Sequence, residues 1–198
     1  MKLWVMFHGN IRIALLAAGI AAGAMTAAGQ PRPIDTANSV MTVHVYKSGL
    51  LSALGHDHEI SAPIAAGTVD AEGRKVEVRV DAGTLRVSDP KVSDKNREEI
   101  QTNMLGPEVL DARTFQEIRF RSTTAEPAGP GAWKVAGELA LHGQAHTVSM
   151  EVRESGGHYR GTCRFKITDF GIKPIKAAGG TVRVKDEVQI EFDIQLAH

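Results

Sequence analysis

Apolar and polar residues alternate along most of the chain after residue 39, and this alternation predicts β-strands. Successive side chains of a strand point to opposite faces, so a period of two indicates one buried face and one wet face. Turn-forming runs rich in Gly or Pro, such as residues 127–131, 154–157 and 177–180, separate the alternating segments. Their apolar positions are Met41, Val43 and Val45; Val76, Val78 and Val80; Ile118 and Phe120; Trp133, Val135, Gly137, Leu139 and Leu141; Val148, Met150 and Val152; Tyr159, Gly161, Cys163, Phe165 and Ile167; and Val188, Ile190, Phe192, Ile194 and Leu196. At least seven strands joined by short turns favour an antiparallel barrel or a sandwich.

One segment, residues 93–105, breaks this period and predicts a helix. Ser93 or Asp94 suits its first position, where acidic side chains are also favourable. The following Gly106-Pro107 pair ends it. We expect Ile100, Met104 and Leu105 of this helix to lie over one end of the barrel.

The first 29 residues have the order of a secretory signal peptide. Lys2 and Arg12 precede the apolar residues 13–22, and small residues follow as far as Gly29. A spanning helix needs about 20 apolar residues, and this run is rich in Ala and Gly without a basic flank on its far side, which favours cleavage over anchoring. We expect a signal peptide over 1–29, a domain over 30–198, a periplasmic location and no membrane segment after processing.

Charge and cysteine content narrow the class of the expected mature domain. Without Lys2 and Arg12, 21 basic residues face 23 acidic ones, a formal charge of −2. Nucleic-acid binders usually carry a basic excess on one face, so nucleic acid is not an expected partner. Cys163 is the only cysteine, so no internal disulfide forms, and its place among alternating apolar residues predicts a buried, inert thiol.

Four motifs in order resemble the YceI-like family over residues 34–196. They are the opening IDTANS at residues 34–39, RTFQEIRFRS at 113–122, GELALHGQAHTV at 137–148 and FKITDFGI at 165–172. The resemblance implies a single eight-stranded antiparallel lipocalin-like barrel with a short helical insertion. It also implies an apolar ligand such as a polyisoprenoid, a quinone tail or another lipid chain.

The chain departs from the family pattern at two places. Residues 95–99 and 109–111 lack the aromatic-rich pattern that is common in the helical segment. His56, Asp57 and His58 stand where many members have Gly-x-Phe. We therefore expect the mouth of the pocket, and with it the ligand, to differ from those of many members.

The inner strand faces supply the candidate ligand site. An eight-stranded barrel either fills with side chains or holds a slender ligand, and both readings stay open on residues alone. Small inward residues, Gly137, Gly161 and Cys163, are expected to leave room in the lumen. The side chains expected to line it are Val43, Val45, Ile118, Phe120, Leu139, Leu141, Phe165, Ile167, Ile190 and Phe192.

Histidines suggest an alternative metal site. His56 and His58 share one strand face, while His142 and His146 flank a hairpin turn. Converging imidazoles with Asp57 are suitable ligands for Zn²⁺ or Cu²⁺. Short metal motifs usually also contain Cys or lie on a helix, and neither holds here, so the metal site is the alternative and no metal or cofactor is the main expectation.

The sequence predicts a binding protein and not an enzyme. Its serines lack a Gly-x-Ser-x-Gly setting, and no Gly-rich phosphate loop joins a strand to a helix. The main prediction is a periplasmic carrier for a long apolar ligand. The alternatives are a metal-binding or stress-related module using His56 and His58, and an interaction protein with a filled barrel; the sequence allows a homodimer without fixing the oligomeric state.

Overall fold

Twelve strands and one helix make up the computed structural model, which describes residues 30–48, 57–90, 92–177 and 182–197. The predicted signal peptide and His56 lie outside these residues. All strand pairs are antiparallel. The strands are β1 Arg32–Pro33, β2 Val40–Ser48, β3 His58–Ser61, β4 Ile64–Asp70, β5 Lys75–Asp81, β6 Arg86–Val87, β7 Glu117–Gly129, β8 Ala132–Leu141, β9 Gln144–Ser155, β10 His158–Lys166, β11 Lys176–Ala177 and β12 Val182–Gln195, and the helix is α1 Asp94–Leu105.

The sheet curls round because β3 and β4 act as one bent strand. Its first half pairs with β2 and its second half with β5. The bend is at Ala62 and Pro63, where a residue without a backbone N–H costs no ladder hydrogen bond. The remaining pairs run β5-β7-β8-β9-β10-β12-β2. Counting the bent strand once, eight strands follow one another round the ring, which confirms the predicted all-β barrel class.

The short strand β1 joins the sheet at one end, here named the β1 end. Ile34 forms a bridge with Leu196 just beyond β12. Its N–H also donates to the carbonyl of Gly67 in β4 at 2.9 Å, and the N–H of Ala197 donates to Pro33 at 2.9 Å. Backbone hydrogen bonds thus link β4 to the end of β12 through β1.

Helix α1 lies at the opposite end, here named the helix end. The Ser93 hydroxyl accepts from the Asn96 N–H at 3.4 Å and Gly106 follows the last turn, so the predicted boundaries are confirmed. Met104 is buried in the core with Leu139 and Leu141, and Ile100 packs against the same cluster. The apolar face of an otherwise polar helix therefore packs on this end of the barrel. No helix in the described part of the chain is long and apolar enough to span a bilayer.

The predicted alternation holds along most strands and fails near residue 167. Val135, Leu139 and Leu141 of β8 are buried while Lys134 and Glu138 are exposed. Strand β10, in contrast, ends at Lys166, and Ile167–Phe170 form a 3-10 turn. The expected strand position of Ile167 was therefore wrong. The turn forms because Phe170 enters the core, where it is fully buried at 0% exposure.

Candidate functional site

A cavity of about 1020 Å³ lies at the helix end of the barrel. Small-molecule pockets commonly span about 300–1,000 Å³, so this space suffices for a ligand with many carbon atoms. Strands supply most of its wall, and α1 supplies Asn96, Glu99, Ile100, Asn103 and Met104. Its strand and turn wall is mainly apolar and includes Met41, Val43, Val45, Ile60, Ala62, Val80, Ile118, Leu139, Leu141, Phe165, Ile167, Val188 and Ile190.

A second cavity of about 300 Å³ lies toward the β1 end. Four aromatic side chains line it: Phe120, Trp133, Tyr159 and Phe192. The two cavities have five wall residues in common: Met41, Val80, Ile118, Leu139 and Ile190. The interior is therefore two adjoining spaces separated by a waist of aliphatic side chains, and not one uniform lumen.

The ten side chains that the sequence nominated all face one or both cavities. Val43, Val45, Leu141, Phe165 and Ile167 line the large one. Phe120 and Phe192 line the small one. Ile118, Leu139 and Ile190 lie at the waist. Ile167 does so from the 3-10 turn instead of from a strand. That these side chains contact a ligand stays a prediction.

Two of the small residues do not leave the room that was expected of them. A Cβ on Gly137 would lie 2.6 Å from Cζ of Phe120, and one on Gly161 would lie 2.7 Å from Cζ of Phe192. Each glycine thus makes space for an aromatic ring from a neighbouring strand, and that ring uses the space. This packing narrows the lumen toward the β1 end.

Cys163 is the third small residue, and it matches the prediction of a buried thiol. Its side chain lines the small cavity, and its Sγ lies 3.8 Å from the carbonyl oxygen of Ser149. Burial raises the pKa of the thiol to about 11. Since the thiolate is the reactive form, this cysteine is inert at neutral pH.

The large cavity reaches the surface between α1 and the segment that follows the 3-10 turn. Asn96, Glu99 and Asn103 on the helix side are exposed, as is Lys173 on the other side. Ile175, also in the wall, is 39% exposed, an unusual value for a large apolar side chain in this fold. This rim is the mouth through which an apolar molecule would enter.

His58 faces the large cavity because of its pairing with β2. Its antiparallel partner is Val45, and directly opposed residues project to the same face of a sheet. Ile60, two residues further along β3, is on that face as well. Val45, His58 and Ile60 all line the cavity. An imidazole thus stands in a mainly aliphatic section of the wall.

Asp89 lies beside His58 because the pairing of β3 with β6 continues past residue 87. The N–H of Ser88 donates to the carbonyl of Glu59 at 2.9 Å, which brings the next residue opposite His58. Nδ1 of His58 lies 3.2 Å from Oδ2 of Asp89. Asp89 is 3% exposed and is the one buried polar or charged residue in the described part of the chain.

Burial lowers the pKa of His58 below its ordinary value of 6.5. The hydrogen bond to Asp89 acts in the opposite direction, and the charge of Lys47 adds to the lowering. The imidazole is therefore neutral at neutral pH. The negative charge of Asp89 is among the causes that raise the pKa of His58 against the effect of burial. Because an ionised carboxylate only accepts, we infer that Nδ1–H donates to Asp89 and that Nε2 keeps its lone pair.

His142 and His146 belong to an aromatic cluster on the hairpin between β8 and β9. Nδ1 of His142 donates to the carbonyl of Phe170 at 3.1 Å, and its ring packs edge-on against Phe115 with centroids 4.7 Å apart. The ring of His146 packs edge-on against Phe170 at 5.1 Å. Both histidines thus hold the buried 3-10 turn against the hairpin.

The alternative metal site does not assemble from the described residues. Among them, no group of three or more His, Cys, Asp and Glu side chains is placed to hold a metal ion. The hairpin histidines associate with Phe170 and His58 with Asp89, so the two segments do not form one site. His56, the remaining member of that prediction, lies outside the described residues.

Comparisons with known proteins agree with the fold and the motif order. A UPF0312 protein of Shewanella baltica is 30% identical over 150 residues, which cover 70% of this chain and 74% of that protein. A UPF0312 protein of Shewanella sp. strain W3-18-1 is 30% identical over 162 residues, 75% of this chain and 80% of that protein. The crystal structure of Burkholderia cenocepacia BcnA superposes with a TM-score of 0.59 at 20% identity, covering 83% of this chain and 99% of BcnA. A family model described as the YceI-like domain matches residues 33–196. The predicted resemblance is thereby confirmed, and the chain belongs to the YceI-like family.

Proposed function

We propose that this protein is a periplasmic carrier that holds a long apolar ligand in its barrel. A polyisoprenoid, a quinone or another lipid chain meets this description. The observation that supports the proposal most directly is the mainly aliphatic cavity of about 1020 Å³ with an exposed rim. The YceI-like family is known to bind hydrophobic ligands such as polyisoprenoids, and this supports the same class of ligand here.

The affinity in this proposal comes from burial of the ligand chain. Removing apolar surface from water contributes about 25 cal/mol per Å², or about 0.8 kcal/mol for each methylene group. A chain of ten buried carbons therefore gains several kcal/mol before the cost of ordering the ligand is subtracted.

The periplasmic part of the proposal rests on the N-terminal sequence. Basic, apolar and small residues follow one another over residues 1–29 in the order of a signal peptide. N-terminal sequencing of the protein from a periplasmic extract should find a chain that begins at Gly29 or Gln30. A chain in the cytoplasmic fraction that keeps residues 1–29 would contradict export.

Native mass spectrometry of the mature protein from its own periplasm tests the carrier function. Organic extraction and metal analysis of the same sample accompany it. We expect one isoprenoid-like or fatty molecule per chain, lost on extraction. Bound metal without lipid would favour a metal module instead, and a protein that arrives empty and takes up no added lipid would contradict the carrier.

A further inference from the structure

The charged residues of the large cavity are few and of both signs. Among the described lining residues they are Lys47, Glu99 and Lys173, together with the titratable His58. No arginine is among the described residues of this wall. Diphosphate groups usually bind where several guanidinium or backbone N–H groups converge. The wall therefore suits a polar end that carries little or no charge.

His58 gives this wall a hydrogen-bond acceptor of fixed direction. Its Nδ1–H is directed to Asp89, which lies beside it and is not among the described residues of the cavity wall. The other ring nitrogen, Nε2, has no hydrogen-bond partner among the described residues. A neutral imidazole held in this tautomer accepts a hydrogen bond through Nε2 and cannot donate one.

We propose that the large cavity selects an amphipathic ligand with an uncharged hydroxyl at its polar end, and that this hydroxyl donates a hydrogen bond to Nε2 of His58. The inference rests on the proposed carrier function and deepens it. Aliphatic or phenolic alcohols of sufficient chain length belong to the ligand class, whereas the matching ethers and diphosphates do not. Asp89 is a positioning residue, since it acts on the ligand only through the imidazole.

The position of His58 places the ligand along the barrel. It lies in β3, opposite Val45, and lines the same cavity as the α1 residues that form the rim. With the hydroxyl there, the apolar chain extends past Leu139 and Ile190 at the waist toward the small cavity. The polar end is then nearest the mouth, and the chain occupies the aliphatic wall.

Three probes of equal chain length separate the ligand classes: geranylgeraniol, its methyl ether and geranylgeranyl diphosphate. Their affinities for the delipidated protein are measured by displacement of an apolar fluorescent dye. We expect geranylgeraniol to bind about tenfold more tightly than the ether, which is the size of effect that one neutral hydrogen bond produces. The diphosphate should bind more weakly than the alcohol.

His58→Phe removes the acceptor and keeps an aromatic ring in the wall. In this variant the alcohol should lose about tenfold in affinity, while the ether binds as in the wild type. His44→Phe is the matched control, because His44 is on the outer face of β2, where it contacts Glu191. The control should leave all three affinities unchanged. Circular dichroism confirms that each variant is folded.

Asp89→Asn tests the positioning role. An amide either accepts from or donates to Nδ1, so it supports both imidazole tautomers. The preference for alcohol over ether should therefore shrink, although the ether still binds. A merely structural role for Asp89 would weaken both probes equally.

A measurement on the unmodified protein covers the case in which a variant does not fold. The ¹⁵N shifts of the His58 ring report directly which nitrogen carries the proton. We expect a protonated Nδ1 and a bare Nε2 without ligand, with a shift of the Nε2 signal on adding geranylgeraniol but not its ether. A proton on Nε2 in the free protein would overturn the inference.

The outcomes distinguish this inference from the carrier function. Equal binding of alcohol and ether, or tightest binding of the diphosphate, would overturn the hydroxyl preference and leave the carrier standing. Failure of all three probes to displace the dye would count against the carrier itself. An alcohol preference that persists in His58→Phe would assign it to another residue and overturn the role of His58.

Discussion

The two ends of the barrel are built from the same strands, but the interior is largely filled with side chains at one end and hollow at the other. At the β1 end, Phe120 and Phe192 pack onto Gly137 and Gly161, and a space of about 300 Å³ is left. At the helix end the space is about 1020 Å³. The difference shows that strand number alone does not decide whether such a barrel is hollow, because the fit between rings and glycines decides it locally.

Each end also contains a His–Asp pair, and the pairs behave differently. At the β1 end, Nδ1 of His158 lies 2.7 Å from Oδ1 of Asp193, and Nε of Arg160 donates to its other oxygen at 2.8 Å. Burial would raise the pKa of Asp193, yet the hydrogen bonds from His158 and Arg160 together lower it. At the helix end burial dominates and lowers the pKa of His58. The first pair belongs to a partly exposed cluster with Arg160, whereas in the second pair Asp89 orients the imidazole of His58, which lines the large cavity.

Filling the helix end should have the largest effect on ligand binding. Val43→Trp places an indole in the large cavity and displaces about four methylene groups of ligand, each worth about 0.8 kcal/mol. We expect the affinity for an apolar probe to fall about 200-fold, with little change in the free energy of unfolding. Titration with geranylgeraniol and urea unfolding check both parts.

Val40→Trp is the matched control for this substitution. Val40 begins the same strand and is 61% exposed, so the same indole lies outside the cavity. Its affinity should equal that of the wild type. Equal affinities for Val43→Trp and Val40→Trp would mean that the ligand does not occupy the large cavity.

Crowding the β1 end should instead affect stability. A Cβ at Gly137 meets the ring of Phe120 at 2.6 Å and also approaches the backbone carbonyl of Arg121. Gly137→Ala should therefore lower the free energy of unfolding by about 1–3 kcal/mol, the usual range for overpacking. Gly83→Ala is the control, because a Cβ there meets nothing within 4 Å. Urea midpoints that coincide for the two variants would show that the ring gives way without cost.

The pH dependence of stability should show the smallest effect. The pKa of His58 in the folded protein lies below 6.5, its value in the unfolded chain. Between these two pKa values the unfolded chain binds more protons than the folded protein does. The contribution of His58 to the free energy of unfolding is therefore fully present above pH 6.5 and is lost as the pH falls below it. One proton contributes at most about 1.4 kcal/mol per pH unit. The groups that act on His58 are Asp89, Lys47 and Asp57.

Urea unfolding of the wild type and of His58→Phe across this pH range checks the sign. The difference between the free energies of unfolding of the two proteins should change with pH as His58 titrates, because all other titrating groups are common to both. Parallel curves would indicate that His58 titrates normally, and a slope of opposite sign would indicate that Asp89 holds the imidazolium in the folded protein.

Much of the site was predictable from local pattern. The alternation in β2, β8 and β12 placed the apolar side chains on the inner face, since side-chain direction in a strand follows from position alone. The cap at Ser93 and the stop at Gly106 set the ends of α1 for equally local reasons. The inert character of Cys163 followed from its place in such an alternation.

The failures have a common physical origin in long-range contacts. Ile167 continued an apolar alternation, yet the chain leaves the strand there in a 3-10 turn that buries Phe170 in the core. Gly137 was expected to leave empty space, but a ring from the neighbouring strand entered it. Asp89 was not among the predicted site residues. It continues the inward positions Leu85 and Val87, but no feature of the sequence around it identifies His58 as its partner.

The class of this domain, its family, the ends of the helix and the side chains that face inward could all be predicted from the amino-acid pattern, because they follow from residues near one another along the chain. Where the interior is filled, where it is hollow, and that an aspartate stands beside His58 could be known only from the fold. Those outcomes depend on which strands pair and in which register, and residues 31 positions apart, such as His58 and Asp89, meet only when the sheet has closed.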